Sequence, residues 1–368
     1  MKFNGGIYDA HVHTHGGCGL DLYLRKGLDH LSAAGIDGEN LLCVKLNRAI
    51  CTADAGALLL KAQHPDKFSV YLHPAIEFEG FGHTPEGIRK QVEGFIEAGA
   101  DGLKLADGNA GETPLDAPLF APLFDLLEQT GFPVLYHVGA TTEYPPRRVL
   151  AKNRHVQCPP FLVYRPGADD DAGSRPGIPA EVMEAKYAQI ERALNRHPGL
   201  RITFPHMFYR SNDLDRLAGF LDRHPTVSVD LTPVYEIYYH FAQNVRRTRD
   251  FLIAYQDRVF LGTDNDTESD PFHNILLFRR FFETDETFFV PKYGFDMKGV
   301  GPFPEEALRK IYRQGFLRMC DPKPLNPKKA AAYCEQLYET VRCFEELPEP
   351  NKQEVLEAAK RLDAMGSL

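Results

Sequence analysis

Tyr8-Asp9-Ala10-His11-Val12-His13-Thr14-His15 reads as a β-strand in which polar and small apolar residues alternate. Successive side chains of a strand face opposite ways, so Asp9, His11 and His13 are expected on one face and Ala10 and Val12 on the other. Two imidazoles held two residues apart on a rigid strand can offer nitrogen ligands to one metal ion. The same pattern also suits histidines hydrogen-bonded within a core, or a strand with one polar face.

Seven further apolar runs follow at regular intervals: 40–46, 68–74, 101–106, 133–138, 201–207, 227–232 and 258–264. With 6–13 they make eight expected strands. Segments of helical period lie between them. Ile88, Val92, Phe95 and Ile96 follow a Thr84-Pro85 start signal, and Met183, Tyr187, Ile190 and Leu194 repeat the spacing, as do Leu214, Leu217 and Leu221. Strand–helix alternation of this length predicts an α/β fold, a (β/α)8 TIM barrel in one domain over residues 1–368. A doubly wound open sheet would place a glycine-rich phosphate loop after the first strand, and none is there. His64-Pro65, His197-Pro198 and His224-Pro225 each sit between a helical pattern and a strand, where proline ends the helix and histidine complements its dipole. These histidines, and His30 within a helical pattern, are read as structural.

Two stretches break the spacing. Residues 141–177, after strand five, are rich in Pro, Gly and charge, and residues 270–303 follow strand eight. As insertions they would lie over the C-terminal mouth of the barrel, as a lid or as plain surface. From Pro304 the pattern is helical to the end of the chain, with a charged segment from Glu345 to Asp363 expected on the outside, solvated or facing a second copy in a homo-oligomer.

The bulk numbers bound the partners. A net charge of -9 argues against non-specific nucleic-acid binding, and 43% hydrophobic with 25% charged residues is ordinary for a soluble domain. No run of eighteen apolar residues occurs, and a strand beginning near residue 6 leaves no room for a signal peptide, so no membrane association is expected. Seven scattered cysteines without a Cys-x-x-Cys pair fit a reducing cytoplasm better than a disulfide framework. Cys18 is read as a small buried hydrophobe rather than a reactive thiol.

Chemistry-bearing side chains recur at expected strand ends. His137 ends strand five, His206 strand six and Asp264 strand eight, with His73 ending strand three and Lys104 inside strand four. Polar residues at the C-terminal ends of barrel strands point into the mouth, where active sites lie. In this order the set resembles the amidohydrolase superfamily, in particular the branch of amidohydrolase-related barrels that includes aminocarboxymuconate-semialdehyde decarboxylase and related lactone hydrolases. The helical stretch Pro304–Tyr312 resembles that branch's C-terminal helix. The resemblance implies that His11, His13, His137 and Asp264 hold one divalent metal, most readily zinc, with His206 beside it orienting water or polarising a small-molecule substrate. It also raises a second ion bridged by a carboxylated Lys104, with one ion favoured. His73 is a candidate substrate contact or a structural histidine before Pro74, and His15 and Asp266 are candidates for supporting positions. Two departures stand out: Met207-Phe208-Tyr209 where glycines often follow the strand-six histidine, and Gly315-Phe316 in place of an Asn-Ala pair.

The implied reaction is hydrolysis of an ester, lactone or amide, with Asp264 as proton acceptor and His206 stabilising the oxyanion. The alternative, on the same ligands, is non-oxidative decarboxylation of an unsaturated or aromatic acid. That reaction calls for an arginine in the mouth, with Arg48, Arg147, Arg148 and Arg210 as candidates.

Overall fold

The computed structural model describes residues 3–44, 52–75, 84–106, 113–140, 142–144, 175–176, 178–233, 235–267, 272–290 and 295–367. The expected strands form as β1 (Tyr8–Thr14), β2 (Gly38–Cys43), β3 (Phe68–Leu72), β4 (Gly102–Ala106), β5 (Val134–His137), β6 (Ile202–Phe204), β7 (Val227–Asp230) and β8 (Val259–Phe260). Each pairs in parallel with its sequence neighbours. Beyond β8 the same chain continues as Asn265–Asp266, which pairs in parallel with β1, while the Ala10 N–H bonds the Leu261 carbonyl at 2.9 Å. The ring thereby closes on itself as a TIM barrel, which removes the open edges. The closing strand is kinked at Asp264, whose φ of 56° lies in the left-handed region that Asp tolerates better than most residues.

Helices form between the strands as expected: α1 (Leu20–Ala34), α2 (Ala53–Gln63), α3 (Pro85–Ala98), α4 (Ala121–Thr130), α5 (Ala180–Arg196), α6 (Leu214–Arg223), α7 (Tyr235–Gln243) and α8 (Val245–Ala254); α9 (Phe272–Glu283) forms within a stretch read as irregular. Thr84 caps α3 by accepting the Gly87 N–H at 3.0 Å. His64, His197 and His224 terminate α2, α5 and α6, each donating its backbone N–H into the last turn. His30 is buried in α1, where its Nδ1 meets Glu39 at 2.6 Å.

Between helices and strands lies one extended apolar layer. A second, smaller cluster fills the barrel interior with Tyr8, Ala10, Leu42, Tyr71, Leu135 and Phe260. Its floor is sealed by the C-terminal helices, which run as α10 (Glu305–Arg309), a π-turn Lys310–Gln314 and α11 (Gly315–Cys320). The widened turn presents the Ile311 carbonyl to the Leu261 N–H at 2.9 Å, and the Phe316 ring stacks on Tyr8 with centroids 5.5 Å apart. Gly315-Phe316 therefore belongs to the barrel floor and not to the mouth.

The stretch 270–303, expected over the mouth, holds α9 and an antiparallel hairpin of Thr287–Val290 with Phe295–Lys298. Its described part packs on outer helices: Arg249 of α8 donates to the Val300 and Pro302 carbonyls. Of the insertion 141–177, the described residues form a short pairing of Glu143–Tyr144 with Arg175–Pro176; the rest lies outside the described residues. The charge-rich C-terminal segment is less solvated than its composition predicts. α12 (Pro327–Val341) and α13 (Glu349–Met365) pack on each other and on α2, burying Val355, Ala358, Ala359 and Leu362. Glu354 of α13 reaches back to accept the Gly17 and Gly19 N–H groups, pinning the loop behind β1. Among the described residues, no helix is long and apolar enough to cross a membrane.

Candidate active site

The mouth is shaped first by a fault in β1. Asp9 pairs with Glu39 but Val12 with Leu41, so Ala10 and His11 together oppose Asn40, a β-bulge. Asn40 answers it by donating its amide to the Ala10 carbonyl at 3.2 Å. The bulge resets the alternation. Ala10 packs inside the barrel beside Tyr8, while His11 and His13 turn together into the mouth. Asp9, expected to share their face, instead accepts the Thr263 hydroxyl at 2.5 Å and the Thr263 and His11 N–H groups at 3.0 Å. Burial pushes its carboxyl up to about 6. It braces β8 against β1 and does not join the imidazoles.

Asp264 arrives from the kink in the closing strand. A Cβ at position 262 would lie 2.9 Å from the His11 Cβ, so glycine there lets this strand pass close behind the imidazole. Three donor atoms then converge: His11 Nε2 and His13 Nε2 are 3.2 Å apart, and Asp264 Oδ1 lies 3.2 Å and 3.0 Å from them. Four ligands around an ion with bonds of about 2.0–2.1 Å stand roughly 3.3 Å apart, so this triangle has the dimensions of one face of such a shell.

The protonation pattern suits a cation as well. Burial works against charge on His11, but the Asp230 and Asp264 carboxylates outweigh it and lift the imidazole to about 8. Burial takes His13 down to about 4 against the pull of Asp264. Asp264 stays well below the usual carboxylate range: burial opposes this, and its bonds to His11 and His13 prevail. The carboxylate between the two imidazoles is thus held in its charged form, as a ligand of a cation must be. The Nδ1 of His13 is buried and makes no hydrogen bond among the described residues.

Asp230, which ends β7, is the residue the sequence reading passed over. Its Oδ2 takes the His11 Nδ1–H at 2.8 Å, which fixes the tautomer and leaves Nε2 with its lone pair toward the triangle. Its Oδ1 accepts the His206 and Thr232 N–H groups, both at 3.0 Å. The signal was available, since Val227-Ser228-Val229-Asp230 ends a strand in a carboxylate just as the next strand does. Asp230→Asn is expected to weaken metal binding about 10–100-fold with the fold retained, measured by chelator competition. An unchanged affinity would mean that His11 needs no such orientation.

The remaining candidates lie around the triangle. His206 is buried with Nδ1 3.3 Å from the Thr232 carbonyl. A carbonyl only accepts, so Nδ1 carries the proton and the neutral ring offers Nε2 as an acceptor; burial lowers its pKa despite Asp264 and Asp230. His137 directs Nε2 at the Tyr209 hydroxyl, 3.1 Å away, and no nitrogen of His137 or His206 joins the group formed by His11, His13 and Asp264. Lys104 points into the barrel and is 2% exposed. Burial brings its ammonium down to about 8 although Asp264 and Asp230 pull the other way.

His73 bonds the Lys104 carbonyl through Nδ1 at 2.9 Å and borders a cavity lined by Asp54, Gln91 and Tyr333 outside the ring. Asp266 pairs in register with His13, and His15 lies just past the end of β1. The Arg210 guanidinium lies 3.7 Å over the Tyr187 ring, facing the α5 and α6 residues Glu184 and Arg216 and not the triangle. Arg48, Arg147 and Arg148 lie outside the described residues.

Among solved structures, an uncharacterized TIM-barrel protein from Bordetella bronchiseptica matches at a TM-score of 0.54 and 15% identity, over 86% of this chain and 100% of that one. A dihydroxybenzoic acid decarboxylase from Polaromonas sp. JS666, with bound manganese and the inhibitor 2-nitroresorcinol, matches at 0.51 and 13%, over 86% and 97%. A candidate 2-pyrone-4,6-dicarboxylic acid hydrolase from Pseudomonas putida matches at 0.50 and 13%, over 86% and 98%. At these identities the likeness speaks for the fold. A comparison with curated proteins returns no match. The model of the amidohydrolase family matches residues 44–318, about three quarters of the chain. The match begins just past β2 and takes in Asp264, to which barrel closure brings the two β1 imidazoles; by this match the chain belongs to the amidohydrolase family.

Proposed function

We propose that the chain is a metal-dependent hydrolase that cleaves an ester, lactone or amide bond of a small molecule, with one divalent ion, zinc by donor chemistry, held by His11, His13 and Asp264. The observation that carries this reading is the convergence of three donor atoms within 3.2 Å of one another. A divalent ion bound there supplies Lewis acidity, polarising a carbonyl and making water acidic.

The rest falls to the chain. Asp264 turns Oδ1 to both imidazoles, which leaves Oδ2 to take a proton from the attacking water and return it to the leaving group. His206, fixed as an acceptor by Thr232, orients that water through Nε2. This differs from the oxyanion role expected of it, because a neutral ring with its proton on Nδ1 has nothing to donate at Nε2. The cation that stabilises developing negative charge is then Lys104, buried and facing Asp264 and Asp230. A lysine so used is an ammonium and not a carboxylated bridge, which favours one ion over two.

Decarboxylation of an unsaturated or aromatic acid is the second reading. Lys104 favours it in part, since its ammonium could anchor a carboxylate in the place of an arginine while Arg210 is stacked on Tyr187. Assaying lactones, esters and amides beside aromatic acids, with release of carbon dioxide followed in parallel, separates the two. Chelation is expected to abolish turnover and added zinc or manganese to restore it. Full activity in a rigorously metal-free sample would exclude both readings.

A further inference from the structure

Six non-glycine residues among the described ones have a left-handed φ. His206, Met207, Phe208 and Tyr209 form one turn after β6, and packing holds it, with Phe208 4.2 Å and 4.9 Å from the Phe204 and Phe220 ring centroids. Asp321 ends α11. Asp264 differs from both. It stands within the closing strand at a φ of 56°, which costs an L-residue about 1–2 kcal/mol, and hydrogen bonds on both sides of its Cα keep it there. The peptide group between Thr263 and Asp264 is fixed at each end: its N–H donates to the His11 carbonyl at 3.0 Å, and its carbonyl accepts from the Asn274 amide at 3.1 Å. On the far side, Asn265 presents Oδ1 to the same amide at 2.6 Å. A backbone carbonyl only accepts, so Asn274 must turn its NH2 to the strand, one hydrogen for each acceptor. Asn274 belongs to the first turn of α9 and is 4% exposed.

We propose that Asn274 is a positioning residue for Asp264: by bridging Thr263 and Asn265 it holds the kink, and so sets the 3.2 Å and 3.0 Å from Asp264 Oδ1 to the His11 and His13 nitrogens. The proposal rests on the metal reading above, and Asn274 acts only through Asp264. With the Thr263 carbonyl released, the peptide can rotate, Asp264 relaxes toward the β region, and its carboxylate swings away from the imidazoles. Asp9 still holds Thr263 through its N–H and hydroxyl, so loss of the bridge loosens the kink without opening the barrel seam. The stretch after β8 thus contributes to the site through the first turn of α9, which acts on the strand and not on the substrate.

The test uses the full chain loaded with Co(II), with the Kd and the d–d absorption of the bound ion as readouts. Asn274→Leu, close in size and without a donor, is expected to fold and to bind cobalt about tenfold more weakly, the loss of one hydrogen bond, with an altered spectrum. Phe281→Leu, in the same helix and packed on Tyr238 and Phe241, is expected to lower the Tm while leaving Kd and spectrum unchanged. An unchanged Kd in folded Asn274→Leu overturns the proposal and leaves the metal reading intact. The same weakening in Phe281→Leu also overturns it, because any loosening of α9 would then suffice. No cobalt bound by the unsubstituted chain removes both. Should Asn274→Leu not fold, Asn274→Ala, which cannot crowd the strand, decides on the same readouts.

Discussion

Asp264→Asn is expected to lower kcat/KM by about 10³–10⁴-fold on any substrate the unsubstituted chain turns over. The substitution is nearly isosteric, and Asn accepts a φ of 56° as readily as Asp does, so the kink and the barrel closure should survive. Two properties are lost together. The amide carries no charge to hold a cation between two imidazoles, and it cannot take a proton from water. If the amide nitrogen turns toward the triangle, it also brings a donor to a place where His11 Nε2 and His13 Nε2 need an acceptor or an ion. Measuring kcat/KM on protein of known metal content separates the effects. Activity within tenfold of the unsubstituted chain at full metal load would remove Asp264 from the chemistry.

Lys61→Met is expected to cost about 3–5 kcal/mol of folding stability, the range for removing one member of a buried ion pair. Lys61 lies in α2, and its Nζ meets Asp101 Oδ1 and the Gly99 carbonyl, each at 2.6 Å. The two side chains are 1% and 0% exposed. Asp101 also accepts the Val70 N–H at 2.9 Å and the Lys323 N–H at 3.2 Å, so it joins three parts of the chain at the base of β4 and cannot turn to solvent. Burial raises its carboxyl pKa above the ordinary 3.8 even with Lys61 in place.

That direction sets the pH dependence of the variant. A carboxyl that binds its proton more tightly folded than unfolded favours the folded state as pH falls, so the deficit of Lys61→Met should be full at neutral pH and shrink on acidification through the raised pKa. Urea unfolding at pH 7 and pH 5 measures both terms. The double variant Lys61→Met with Asp101→Asn should lose less than the two single losses added together, because no lone charge remains. A single-variant loss under about 1 kcal/mol would mean that water reaches the pair.

The eight strands were legible because each is an apolar run bounded by Gly, Pro or charge, and the parallel order follows from the helices between them. The ends of β1, β5, β6 and the closing strand were legible for the same reason: a polar residue capping an apolar run has few places to point. Asp9 was misplaced because strict alternation assumes an unbroken register, and a bulge at Ala10 and His11 depends on the partner strand, which the local sequence does not encode. Asp230 escaped because its role lies in bonds to His11 and His206 from other strands, which its own strand does not reveal. His206 could be placed in the mouth from its position alone, but its hydrogen-bonding sense depends on the Thr232 carbonyl from the neighbouring strand. Residues 270–303 looked irregular because aromatic residues such as Phe278, Phe281 and Phe282 are so dense that the helical period of α9 is hidden. The left-handed turn after β6 could not be anticipated from Met207, Phe208 and Tyr209, none of which favours that conformation.

The donor triangle straddles the seam where the last strand meets the first, bringing together side chains that lie 251 and 253 positions apart in the sequence. An ion bound there works as a clasp: its binding free energy is added to circularisation of the ring, which is among the longest-range contacts the polypeptide must make. The full donor set exists only where the first and last strands have met; before that, β1 offers the His11–His13 pair alone.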